Sequence, residues 1–200
     1  GNDTIHHMMN GCLISPRHIL SVYHIGSQLN QIVFFVNRTN NSVIARRVID
    51  FVRVNGADQT VAVLDAPLPP TIVPAQILTN AYAKIPEYRH QLRWLGVLPM
   101  LAFNQDRRPA VNICTAITSG TNAAFNVSPN PVEVTAPWQQ NMRGGDSGSP
   151  TYFIIHNRLC VVGSMTSVMA GTAVGQIAVD LQSSMNFLCR RNGFTNETLS

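Results

Sequence analysis

A chain of 200 residues, 45% hydrophobic and only 12% charged, carries enough apolar material for one large or two small packed domains and too much for a disordered chain. No apolar run reaches the roughly 20 residues that a bilayer-spanning helix needs, so no membrane association through a helix is expected. The formal charge of +4 rests on Arg at thirteen of the fourteen basic positions, scattered along the chain rather than gathered among aromatics, and favours a solvated surface over a nucleic-acid partner.

The first segment, GNDTIHHMMN, has no basic-then-apolar leader pattern. After it, GCLISPRHILSVYHIG (11–26) reads as a strand-like run closing on a histidine and a glycine. Strands are predicted over 31–37, 42–54, 60–66, 110–118, 151–157, 158–168 and 175–181, each β-branched or aromatic and either alternating or continuously apolar. Turn chemistry separates them in NGADQ, APLPPT, FNQDRRP, VSPNP and RGGDSGSP. The polar, proline-punctuated stretch 80–92 marks a boundary between two strand-rich halves. One helix is predicted near the end, in DLQSSMNFLCRRNGF, where Leu181, Met185, Leu188 and Cys189 fall on one face and Asn192–Gly193 stop it. Repeated strands without intervening helices imply an antiparallel sandwich or barrel.

Cys12, Cys114, Cys160 and Cys189 form no C-x-x-C pair, which argues against zinc and leaves either two disulfides or buried thiols. His6, His7 and His18 lack metal-ligand spacing as well, and no metal is expected. The chemistry concentrates instead in GGDSGSP (144–150), where a serine lies among glycines. A serine hydroxyl is a weak nucleophile until a base takes its proton, and that base needs a carboxylate to fix its tautomer. His24 closes the first strand-like run, and Asp50, Asp58 and Asp65 lie between it and Ser147.

These residues carry a resemblance to the trypsin/chymotrypsin-like serine endopeptidases. Gly145-Asp146-Ser147-Gly148-Ser149-Pro150 resembles the family's nucleophile signature at every position, and Leu13-Ile14 through Ile19-Leu20-Ser21-Val22-Tyr23-His24 resembles its histidine segment. Asp58, heading Asp-Gln-Thr-Val-Ala-Val-Leu with Pro67 soon after, resembles its aspartate strand, whereas Asp65 would sit at the far end and Asp50 mid-strand before it. The order His24, Asp58, Ser147 is also that of the chymotrypsin triad.

The resemblance implies two six-stranded antiparallel β-barrels, residues 1–80 and 90–200, the second including the terminal helix. It implies peptide-bond hydrolysis through an acyl-enzyme, with catalytic His24, Asp58 and Ser147 and an oxyanion hole from the amides of Gly145 and Ser147. It further implies substrate contacts from Asn141, Thr166, Ser167, Val168 and Gly175, with no carboxylate at the pocket base. Asp146 is expected to be buried and internally paired, and a side-chain or backbone donor has to satisfy it, with Arg143 suggested. A polypeptide substrate, no cofactor, a monomer, and a secreted or periplasmic location are expected.

Three departures from the family pattern stand out: Tyr23 in place of a small residue, Ile25 in place of a cysteine, and Gln59 in place of an aliphatic one. Two alternative readings accompany the enzyme: a catalytically silent protease-like binding or structural module, and a self-processing viral or polyprotein protease.

Overall fold

A computed structural model describes residues 10–27, 29–37, 39–78, 98–103, 109–117, 124–128, 143–155, 157–167, 170–173 and 177–200. The chain is mostly β, with one α-helix near the end among the described residues. In the first half, β1 (Cys12–Leu13), β2 (His18–Val22), β3 (Ile32–Asn37), β4 (Ser42–Arg53) and β5 (Gln59–Leu64) form one sheet in the order β1-β2-β5-β4-β3. Its central strand β5 is buried throughout, which is why its sequence runs apolar without alternating. Val61 and Val63 enter one core with Ile14, Leu20 and Val54, while Ala62 and Leu64 enter another with Leu13, Ile19, Val48 and Leu68. The long strand β4 changes register between Val48 and Asp50, a bulge that lets twelve residues serve both β3 and β5.

The second sheet contains β6 (Gln76–Ile77), β7 (Leu98–Phe103), β8 (Pro109–Ile117), β9 (Ala124–Ser128), β10 (Pro150–Ile155), β11 (Arg158–Met165) and β12 (Ala170–Ala173). Its order is β10-β7-β8-β9-β12-β11-β6, and β10 also pairs with β11, so the pairings of β7 to β12 run round a ring of six. The first half is expected to hold a barrel of six strands. Five strands are joined there among the described residues, and the short β6 leaves that half to pair parallel with β11. The predicted boundary over 80–92 lies outside the described residues.

The helix α1 (Ala178–Arg191) buries Leu181, Met185, Leu188 and Cys189, the face that the sequence predicts. Leu181, Met185 and Leu188 join Val61, Val63 and Val161 in a core drawn from both halves of the chain. The strand predicted over 175–181 is a correction: the strand lies upstream at Ala170–Ala173, and Ala178 onward is helical. Ile177, Val179 and Leu181 look like a strand's alternation, but Val179 is 79% exposed while Ile177 and Leu181 are buried. The working period is four, continuing to Met185, and it belongs to the helix. Gly193 (φ +71°) ends α1, with the Phe194 amide bonded back to the Cys189 carbonyl.

Beyond α1 the chain returns to the first half, where the Ser200 amide donates to the Ile14 carbonyl and the Ile77 amide to that of Ser200. Glu197 accepts from Ser15 Oγ at 2.6 Å and from the Arg17 amide at 3.1 Å, and lies 3.2 Å from Nδ1 of the buried His18. His18 Nε2 lies 3.6 Å from Cys189 Sγ. Cys12, Cys160 and Cys189 are free and buried, which settles the open choice for these three in favour of thiols. Burial pushes the Cys12 thiol up to about 12, against a smaller opposing effect of a Tyr152 hydrogen bond. No helix among the described residues is long and apolar enough to cross a membrane.

Burial holds the His18 imidazole below its ordinary 6.5, with Arg17 adding to the effect and Glu197 opposing it. On acidification the unfolded chain therefore takes up this proton before the native one does, and stability falls as the pH drops below 6.5 toward the native value. Urea denaturation between pH 7.5 and 5.5 should show that fall, and His18→Gln should flatten it even if the variant is less stable at every pH.

Candidate active site

The pairing of β2 with β5 sets the first part of the site. Val22 faces Gln59 at the end of the ladder, so the residues just past β2 meet those just before β5. The chain reaches β5 through a turn at Asn55–Gly56, where Gly56 takes a φ of +68° that a side chain would resist. After β2 the chain turns again, the Gly26 amide bonding to the Tyr23 carbonyl at 2.9 Å. Between these turns Asp58 places both carboxylate oxygens on one residue. Oδ1 accepts the His24 amide at 3.0 Å, and Oδ2 lies 2.7 Å from His24 Nδ1. The proton belongs on Nδ1 in that contact, which leaves Nε2 as a basic nitrogen with its lone pair free. No hydrogen bond to Nε2 is present among the described residues.

The other two aspartates are engaged elsewhere. Asp65 Oδ1 accepts the Arg47 amide at 3.0 Å, at the opposite end of β5. Asp50 pairs with the Arg191 guanidinium and with Asn192 Nδ2 (2.8 Å), tying β4 to the end of α1. Burial raises the Asp50 carboxyl, but the bonds from Arg191, Asn192 and the Phe51 amide outweigh it and hold the group below its ordinary value. Only Asp58 of the three meets an imidazole.

Ser147 sits in a loop folded on its own backbone. The Asp146 amide donates to the Arg143 carbonyl and the Ser149 amide to that of Asp146, both at 3.0 Å. Asp146 is buried, and its Oδ2 accepts the Arg143 amide at 2.7 Å. The donor expected of Arg143 thus includes its backbone. The Gly148 amide bonds to the Met165 carbonyl, fixing the loop to the end of β11. Within the same loop the amides of Gly145 and Ser147 make no hydrogen bond among the described residues. That leaves two N–H groups, one of them the serine's own, uncommitted beside a partly exposed side chain.

A second contact ties this loop to the histidine strand. Asn10 Nδ2 donates to the Gly145 carbonyl at 2.8 Å, and Ser21 Oγ, three residues before His24, donates to the Asn10 carbonyl at 2.8 Å. Gly148 (φ +83°) nests in this junction, where a Cβ would collide with the Asn10 carbonyl and stand 3.1 Å from Ser21 Oγ. The loop and the histidine turn are thereby anchored to a common strand. His24 and Ser147 themselves form no hydrogen bond.

Of the expected substrate contacts, Asn141, Val168 and Gly175 lie outside the described residues. Thr166 and Ser167 follow β11, and their amides both donate to the Ala170 carbonyl, at 3.2 and 2.9 Å. Sequence reasoning does not find Asn10, whose role comes from its position beside Ser21 and carries no local signal. It notices Tyr23 and Gln59 only as departures from a pattern. No protein-family model matches the chain, and no curated protein matches it.

Gly148→Ala should lower stability by more than about 1 kcal/mol, because it adds a collision to a backbone conformation that disfavours a side chain. Gly144→Ala, with open space around it, should stay within about 0.5 kcal/mol of the parent in the same urea titration.

Proposed function

We propose that the chain is a serine endopeptidase resembling the trypsin/chymotrypsin family, with two barrel-like halves meeting at the site. The observation that carries this reading is the Asp58 carboxylate, which spends both oxygens on His24 and directs the basic Nε2 away from itself. In this reading Ser147 Oγ attacks the substrate carbonyl carbon as its proton passes to His24 Nε2. The oxyanion that forms is held by the amides of Gly145 and Ser147. His24 then gives its proton to the departing amine, the C–N bond breaks, and an acyl-enzyme remains on Ser147. Water repeats the sequence with His24 again as base, releasing the acid and restoring the serine. Asp58 holds the ring throughout and stabilises the imidazolium as it forms.

The His24–Ser147 bond has still to close when substrate arrives, as catalytic hydrogen bonds often do. The same unclosed bond favours the second reading, a protease-like domain that binds without cutting. In the enzymatic reading, the identities of Asn141 and Val168 suit a small or medium uncharged side chain in the primary pocket.

A fluorophosphonate probe separates the two readings, since only an activated serine reacts with it. The native chain should label, and Ser147→Ala should not. Asp58→Asn should slow cleavage of a peptide library by about four orders of magnitude, as loss of the triad acid does elsewhere. Asp65→Asn should leave the rate nearly unchanged. A well-folded native chain that never labels would overturn the enzymatic reading, and a collapse caused by Asp65→Asn would overturn the choice of acid.

A further inference from the structure

Two of the residues that depart from the family pattern, Tyr23 and Gln59, meet at Asp58 in the company of Arg53. We propose that Tyr23, Arg53 and Gln59 form a positioning frame that fixes the Asp58 main chain and thereby aims its carboxylate at His24. The proposal rests on the serine-peptidase reading for its catalytic consequence, though not for its geometry.

The frame closes on the peptide that carries Asp58. Three successive carbonyls, those of Ala57, Asp58 and Gln59, are all engaged. The Ala57 carbonyl accepts Arg53 Nε at 3.0 Å, and that of Gln59 accepts the Val54 amide at 2.9 Å. The Asp58 carbonyl takes two donors, Gln59 Nε2 at 2.8 Å and the Tyr23 amide at 3.3 Å. The Arg53 guanidinium, bonded to one side of Asp58, lies 4.1 Å from the centroid of the Tyr23 ring, and Tyr23 is the neighbour of His24. One cation thus links the peptide just before the acid to the turn carrying the imidazole. An arginine stacked on a ring while donating from Nε suits this better than a lysine, because its planar group does both at once.

Gln59 supplies the independent observation. Its side chain is fully buried, yet Oε1 has no hydrogen-bond partner. An orphaned buried carbonyl oxygen is costly, and an aliphatic residue on this strand would avoid it. The compensating interaction is the one its nitrogen makes to the Asp58 carbonyl. Gln59 is accordingly a worse core residue than leucine and a better support for the aspartate. Stability and reactivity should therefore move in different directions when it is replaced, which a purely structural role would not produce.

The test measures saturation kinetics of fluorophosphonate labelling alongside thermal stability. It also follows the low-field imidazole Nδ1–H proton signal that marks a histidine–carboxylate bond, recorded in the Ser147→Ala background. Gln59→Leu should keep or raise the melting temperature while lowering the maximal labelling rate roughly tenfold, within the hundredfold that a misplacement of about 1 Å costs. Tyr23→Ala and Arg53→Met should each lower that rate similarly with the probe's half-saturation concentration unchanged. Their combination should be no worse than either alone, as expected for members of one contact. Tyr23→Phe, which keeps the ring, should restore the parent rate. The Nδ1–H signal should broaden or vanish in all but the Phe variant.

Unchanged rates with an unchanged Nδ1–H signal would overturn the frame, as would rate losses that merely follow falling melting temperatures. If the native chain does not label at all, the peptidase reading fails alone. The Nδ1–H signal still decides whether these residues hold Asp58 against His24.

Discussion

A carboxylate has two oxygens, and in this protein Asp58 gives both to the same neighbour. One oxygen takes the backbone amide of His24 and the other its ring nitrogen, so the imidazole is fixed relative to its own main chain. Neither bond would form if β2 and β5 slipped by a residue, because the pleat would carry the side chains to opposite faces. The burial of β5 on both faces opposes that slip: Val61 and Val63 would have to trade places with Ala62 and Leu64, and two fitted cores would be disturbed at once. The geometry at the surface is therefore underwritten by apolar packing beneath it. The His24–Asp58 pair is itself largely exposed and contributes little to stability.

A histidine faces a carboxylate at the start of β2 and again just past its end, and the two contacts leave different atoms open. His18 is buried, with Nδ1 between Ser15 and Glu197 and Nε2 against Cys189, so both of its nitrogens are spent. It ties the returning C-terminal segment to the first sheet and has no lone pair to offer. His24 is exposed, has one nitrogen engaged, and keeps the other. A histidine available as a base must be held by one atom and open at the other.

The parts of this arrangement legible in the sequence are those governed by local rules. The glycines at 145 and 148 indicate a backbone that a side chain could not follow, and both take positive φ. The Asn55–Gly56 turn places Asp58 directly before the strand starting at Gln59, and the four-residue spacing from Leu181 to Cys189 marks the buried face of α1. What escapes local reading depends on where the chain goes next. A two-residue strand such as Gln76–Ile77 carries no pattern of its own, and its parallel partner β11 lies more than eighty residues away. The alternation of Ile177, Val179 and Leu181 satisfies two periods equally until the exposed Val179 decides between them. Asn10 is informative only through Gly145 and Ser21, neither of which is near it in sequence.

The residues that break the family pattern are legible as exceptions before their purpose is visible. A glutamine in a buried strand and a tyrosine beside an imidazole look like weaknesses if each position is judged by its own burial. Judged by what they hold, they are parts of one support, because Gln59 and the Tyr23 backbone share the Asp58 carbonyl and Arg53 links the Tyr23 ring to the neighbouring peptide. An exposed imidazole–carboxylate contact on a turn has few packing contacts to keep it still, so precision there has to come from hydrogen bonds to the main chain. That requirement accounts for polar residues where an ordinary core would place aliphatic ones, and for a buried oxygen left without a partner.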